Sequence, residues 1–167
     1  MSETGATKEK MQVDPYEKNW MRFSIILVIV FAAAVTVAGF ALGFQVPSPE
    51  ERVDPNNLTG PWEDPGLREL SPGVYELYII GNSTTWQFDP REVEIPVDST
   101  VTFYVTSLDI QHGFKLQNTN INMQILPGHV SKLTHTFDEV GEYPYVCTEY
   151  CGTGHAFMFG SLTVVEK

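Results

Sequence analysis

With 167 residues and a formal charge of −11, the chain has room for one ordinary domain of roughly 100–150 residues and a small extra element. A second globular domain is not expected, and the acid excess argues against nucleic acid, whose phosphates such a surface would repel. Hydrophobic residues make up 43%, but so many of them fall in one block near the N-terminus that the chain has to be read in parts.

Residues 1–22 read as a short polar tail in which Lys8, Lys10, Lys18 and Arg22 balance four acidic residues. From Phe23 to Phe44 the run FSIILVIVFAAAVTVAGFALGF holds 22 residues without a charge. As a helix it would span roughly 33 Å at about 1.5 Å per residue, the thickness of a bilayer's hydrocarbon core. A cleaved signal peptide has a shorter apolar region, about 7–15 residues, and a buried core helix rarely needs so long a run, so 23–44 is predicted to be a single transmembrane anchor. The only basic residue soon after it is Arg52, and this bias places the N-terminus in the cytoplasm and the C-terminal domain on the outer face of the cell membrane. Trp20 and Phe23 suit the interfacial aromatic belt.

Residues 45–73 are rich in Pro, Gly and acids without a steady hydrophobic period, and read as a partly extended linker. From Gln45 onward there are 6 Lys and Arg against 17 Asp and Glu, so this part carries all of the net charge. Such a surface would steer a basic partner protein, or would reflect adaptation to high salt, which screens steering; composition does not separate the two.

From Val74 the pattern changes to short runs dense in Val, Ile, Tyr, Phe and Thr: VYELYIIG, EVEIPV, TVTFYVTS, INMQIL, VSKLTHTF, EYPYVC and FGSLTVV. Turn residues punctuate them, so they read as strands. Short strands with no helical period between them predict an all-β, antiparallel Greek-key sandwich or barrel over 74–167. Segments 108–120 and 147–157 are too polar or Gly-rich for regular strands, and they carry the chemistry.

The only two cysteines lie in Cys147-Thr-Glu-Tyr-Cys151-Gly-Thr-Gly-His155-Ala-Phe-Met158. An exported cysteine pair is by default a disulfide, but a disulfide needs neither His nor Met. Thiolate, imidazole and thioether together suit copper, because soft sulfur stabilises Cu(I) while imidazole supports both oxidation states. A single blue-copper site uses one Cys, two His and an axial Met, which leaves one thiol over. If both thiolates bridge two metals, each metal needs one imidazole and accepts one weak donor. His155 and Met158 supply one of each, and a main-chain carbonyl between the cysteines would complete the set.

The second imidazole has to come from elsewhere, and His112, in the loop after TVTFYVTS, is best placed. His135 shares a strand face with Leu133 and Phe137 and reads as packed, while His129 in its Pro-Gly-His turn reads as solvated. Zinc is the competing metal, but its cysteines usually come two to four residues apart from one knuckle, and zinc has no use for a methionine.

With these residues in place, the sequence resembles subunit II of the haem-copper cytochrome c oxidases over nearly its whole length. The motif Cys147-x-Glu149-x-Cys151-x3-His155-x2-Met158, with His112 preceded by Asp109, carries the resemblance, and no member of it is missing. The resemblance implies a cupredoxin-like Greek-key β-sandwich behind a single N-terminal transmembrane helix, holding two copper ions in a dinuclear copper A centre. Cys147 and Cys151 would bridge the coppers, His112 and Met158 serving one and His155 and the Glu149 carbonyl the other, with Asp109 orienting the first histidine's loop.

The chain would then act within an enzyme, taking single electrons from a soluble donor, cytochrome c or a small blue copper protein, and passing them to the haems of subunit I for oxygen reduction. The single anchor and the run Tyr16-Glu17-Lys18-Asn19-Trp20 are similar to the B-family, b-type oxidases, which implies that Glu17 lies at the mouth of a proton path into subunit I. Trp86 and Phe88 resemble the aromatic patch that receives electrons. Two alternatives stay open: the copper A subunit of a nitric oxide reductase, and a disulfide-bonded or zinc-bound structural subunit.

Overall fold

The structure, a computed structural model, describes residues 13–43 and 48–167, with the backbone alone at 48–50. Lys8 and Lys10 of the tail and Phe44 at the end of the apolar run lie outside the described residues. The chain divides into two compact units, Met1–Phe44 and Gln45–Lys167.

Among its described residues the first unit forms one helix, α1 (Pro15–Ala41), which begins eight residues ahead of the apolar run. Its start signals lie there: the Asp14 side chain accepts the Tyr16 N–H at 2.8 Å, and Pro15 opens the first turn, where a missing N–H costs nothing. It stops short of Phe44, with Leu42 as cap and Gly43 at φ 61, the left-handed conformation that ends many helices. No side chain of α1 is buried, mean hydropathy reaches 2.7, and the helix is long and apolar enough to cross a membrane.

The second unit contains β1 (Ser48–Glu51), β2 (Gly66–Ser71), β3 (Val74–Asn82), β4 (Gln87–Asp89), β5 (Glu92–Pro96), β6 (Ser99–Ser107), β7 (His112–Leu116), β8 (Asn122–Ile125), β9 (Val130–Phe137), β10 (Gly141–Val146) and β11 (Phe159–Val165). One sheet runs β1-β9-β6-β3-β2 with β4 also on β3, and the other runs β5-β11-β10-β7-β8. Period-2 alternation turns Val101, Phe103 and Val105 of β6 inward, where with Leu77 and Ile79 they meet Phe114, Leu116, Tyr145, Leu162 and Val164 of the facing sheet. These side chains are almost wholly buried and form the main core.

Two features depart from the sequence reading. The sandwich is not purely antiparallel, because β3 pairs parallel with β6 and β5 parallel with β11. A parallel return needs a crossover of about a dozen residues or more, and 83–98 supplies it by way of β4 and β5. The stretch 45–73 is also not simply a linker. Its β2 pairs antiparallel with β3, and Trp62 in the short 3-10 turn Gly60–Trp62 is 4% exposed, edge-on to Tyr78 at 5.1 Å. Polar composition hid these contacts because they are single residues and a half-exposed edge strand, neither of which makes a hydrophobic period.

Candidate metal centre

Strand pairing brings the chemistry-bearing loops together. The β3/β6 register ends at Gly81↔Ser107, so the turns that follow leave the sheet side by side and Ser83 meets Asp109. In the other sheet β7 and β10 pair at Tyr145↔Leu116 and Val146↔Lys115, which carries the start of β7, His112 and Gly113, alongside Cys147 and Thr148. The β10/β11 ladder closes at Val146↔Phe159 and forces 147–158 into one loop. Across its base the Cys147 N–H donates to the Met158 carbonyl at 3.0 Å.

The approach of β7 to this loop is so close that a β-carbon on Gly113 would stand 2.1 Å from Thr148 Oγ1 and 2.9 Å from the Glu149 nitrogen. Residue 113 therefore has to be glycine. The sequence reading missed it, although a lone glycine inside a strand pattern signals such an approach.

Within this frame Cys147 and Cys151 are both buried free thiols, their sulfurs 3.7 Å apart. His112 is 0% exposed. Its Nε2 lies 3.0 Å from Asp109 Oδ1, which leaves Nδ1 facing Cys147 Sγ at 3.9 Å. On the other side His155 Nδ1 is 3.5 Å from Cys151 Sγ, and Met158 Sδ is 3.8 Å from the same sulfur. The Cys147 thiol donates to the Glu149 carbonyl at 3.2 Å. Donor atoms of His112, Cys147 and Cys151 lie within 4.8 Å of one another.

The surroundings set the charges unequally. Burial pushes the Cys147 thiol up, but His112, the N–H of Gly113, the backbone at Glu149 and Cys151 outweigh it and bring the pKa down to about 6. Cys151 is pushed up to about 12, by burial first and then by its charged neighbour Cys147. Burial would lower the His112 imidazole, yet Cys147 and Asp109 hold it above its ordinary value. Asp109 is held down at about 2 despite burial, because the Ser83 hydroxyl, His112 and the N–H groups of Ile110 and Ser83 all donate to it.

Of the sequence-predicted residues, His112, Cys147, the Glu149 carbonyl, Cys151, His155 and Met158 thus come together, with Asp109 behind His112. Trp86 is half-buried against Gly152 and Gly154. Phe88 is corrected: it is 1% exposed, edge-on to Phe114 and Tyr145, because β4 alternation turns Gln87 and Asp89 out and Phe88 into the core. Glu17 is exposed in the first turn of α1, in the other unit. His135 packs on Phe137 at 4.8 Å, whereas His129 is half-buried, its Nδ1 3.2 Å from the Pro127 carbonyl, rather than solvated.

The sequence reading also missed Ser83 and two exposed aromatics, Tyr150, whose ring is 6.0 Å from that of His155, and Phe157, two residues further along the chain, 75% and 72% exposed. Two thiols, two imidazoles, a thioether and a carbonyl, mostly buried and already facing each other, form a donor set that fits copper.

Comparison with known proteins agrees with this chemistry. The family described as "Cytochrome C oxidase subunit II, periplasmic domain" matches residues 77–165. The chain is 40% identical over 157 residues to "Cytochrome c oxidase subunit 2" of Thermus thermophilus, covering 90% of this chain and 92% of that one. It is 32% identical over 114 residues to "Heme-copper oxidase subunit 2" of Aeropyrum pernix, covering 59% and 49%. Among solved structures, a chain of a heme-copper terminal oxidase dimer superposes with a TM-score of 0.75 at 30% identity, over 90% of this chain and 99% of that one. The periplasmic domain of subunit II of cytochrome oxidase from Bradyrhizobium japonicum shares the fold, with a TM-score of 0.50 at 23% identity over 55% and 84%.

Proposed function

This chain belongs to the cytochrome c oxidase subunit II family, and on that premise we propose that its β-sandwich is a single-electron relay held at the membrane by α1. Membership implies copper, and the donor set fits it. The number of ions and the ligand assignment are our reading. Cys147 and Cys151 Sγ would be shared by two metals, His112 Nδ1 and Met158 Sδ would hold one, and His155 Nδ1 and the Glu149 carbonyl would hold the other. When bound, a copper pair supplies one-electron chemistry shared between two metals.

What the chain contributes is a fixed cage. The ligands leave the ends of paired strands, and Asp109 sets the orientation of the His112 ring from behind, so little has to move when the charge changes. Trp86, lying on the ligand loop, with Tyr150 and Phe157 of that loop, marks where a soluble donor such as cytochrome c or a small blue copper protein would deliver electrons. The haem-bearing subunit I would receive them and reduce oxygen. In this reading the N-terminus is cytoplasmic and the sandwich lies on the outer face, with Glu17 at the mouth of the partner's proton path.

The observation that carries the reading is the pair of free sulfurs, each facing a different imidazole. The test is to purify the whole chain in detergent, load it with copper, and measure metal content and the electron paramagnetic resonance spectrum. Two coppers per chain with hyperfine splitting shared between two nuclei is the expected result. One copper with splitting from a single nucleus, or sulfurs joined in a disulfide in the loaded protein, overturns it.

A further inference from the structure

The turn between β3 and β4 contributes no donor atom, yet it touches both halves of the centre. On one side Ser83 donates to Asp109 Oδ2 twice, from its N–H and from its hydroxyl, each at 2.6 Å. Oδ1 accepts the Ile110 N–H at 2.7 Å and the Ser107 hydroxyl at 3.3 Å, and lies 3.0 Å from His112 Nε2. Ser83 thereby fixes the carboxylate that orients His112.

On the other side Trp86 has φ 55, a conformation that a bulky side chain adopts only when its surroundings impose it. Its side chain packs on the ligand loop. A β-carbon on Gly154 would stand 2.2 Å from Trp86 Cγ and Cδ2, and one on Gly152 would stand 2.5 Å from Cη2. The indole therefore lies lengthwise along the backbone from 154 to 152, with its five-membered ring over one glycine and the far edge of its six-membered ring over the other. This is the segment that joins Cys151 to His155. Between the two contacts the turn is closed by Asn82 Oδ1, which accepts the Thr84 N–H at 2.7 Å.

We propose that residues 83–86 are the positioning element of the metal centre, with Ser83 setting the His112 arm and Trp86 acting as a lid that holds the Cys151–His155 arm. The proposal rests on the copper reading above but assigns a task that the ligands themselves do not perform. One rigid turn holds two ligand arms that are distant in sequence, so a disturbance of either contact loosens the cage without removing a donor. Trp86 would then matter to the resting centre as well as to the arrival of electrons.

The experiment uses the whole chain in detergent and compares Trp86→Ala, Trp86→Phe, Ser83→Ala and Gly154→Ala with the parent. Copper loss to an excess of chelator should accelerate about tenfold or more in Trp86→Ala and in Ser83→Ala, the size usual for supports behind metal ligands, with a shifted reduction potential. Gly154→Ala, which expels the indole while leaving residue 86 intact, should reproduce Trp86→Ala, and Trp86→Phe should restore part of the loss.

In copper-free protein, amide hydrogen exchange over 152–155 should speed up in Trp86→Ala and Gly154→Ala, a readout that does not depend on the metal count. A parent that fails to take up two coppers defeats the functional reading, and faster exchange would still support the lid. Parent-like copper release, potential and exchange in both Trp86→Ala and Gly154→Ala overturn the lid. If Trp86→Ala does not fold, Gly154→Ala and Ser83→Ala decide the matter.

Discussion

Two buried sulfurs 3.7 Å apart cannot both carry charge without cost, and the protein answers by giving them different neighbours. Main-chain N–H groups and His112 hold the Cys147 thiol below its ordinary value, whereas burial and the neighbouring Cys147 push Cys151 up, so Cys147 ionises first and the second proton is held on Cys151. A metal that takes both sulfurs must displace that second proton, which makes the pair a demanding site that rewards a strongly thiophilic ion. Cys147→Ser should abolish the centre, whereas Met158→Leu should keep the copper content and shift the potential; metal analysis with voltammetry checks both. Asp109 is the residue whose role can be followed by pH. Its pKa of about 2, against an ordinary 3.8, favours the folded state by roughly 2 kcal/mol once both states are ionised. That stability is present above pH 3.8 and is lost as pH falls through 2. Denaturant unfolding of copper-free Asp109→Asn should therefore show a deficit of about 1–2 kcal/mol at pH 7 that closes near pH 2.

Strands decide how near the ligands come. The β7/β10 pairing brings His112 beside Cys147 only because Gly113 lets the backbones approach, and that contact cannot relax far, since the Glu149 and Thr148 nitrogens stand 2.9 and 3.0 Å from the position of a β-carbon. Gly113→Ala should cost about 1–3 kcal/mol by overpacking and broaden or shift the copper spectrum. Adding Thr148→Ala should recover only part of the stability, because it removes the hydroxyl but not the backbone; thermal denaturation of the single and double variants checks this. The outer face of β3 depends on close packing as well. Trp62 covers Tyr78, which stacks on Tyr104 at 4.8 Å, and both tyrosines donate to Glu76. Trp62→Ala should cost about 3 kcal/mol, the loss of a large buried aromatic, although its flanking sequence has the composition of a linker. A change under about 0.5 kcal/mol, the level of an ordinary surface substitution, would show that the turn at 60–62 is dispensable.

At the scale of the molecule, the core and the candidate centre both lie within Gln45–Lys167, and α1 buries no side chain in the structure. Residues 45–167 expressed alone should be soluble, unfold in one cooperative transition and take up the same copper as the whole chain; aggregation or loss of copper binding would show that the helix supports the sandwich. Local chemistry was enough to read much of this from sequence. An uncharged run of 22 residues needs no tertiary context to be a membrane-length helix, and two thiols, an imidazole and a thioether within twelve residues declare their donor set wherever the loop lies. Alternating Val, Ile and Phe likewise announced a β-sandwich. What depended on register between distant strands stayed hidden. The facing of His112 and Cys147 across 35 residues, the inward turn of Phe88, the need for glycine at 113 beneath Thr148, the parallel pairing of β3 with β6, and the span of Trp86 over Gly152 and Gly154 were settled only when the sheets closed. The physical reason is one of range: donor identity and hydropathy belong to the residues themselves, whereas distance and exposure belong to whichever segments the fold brings alongside.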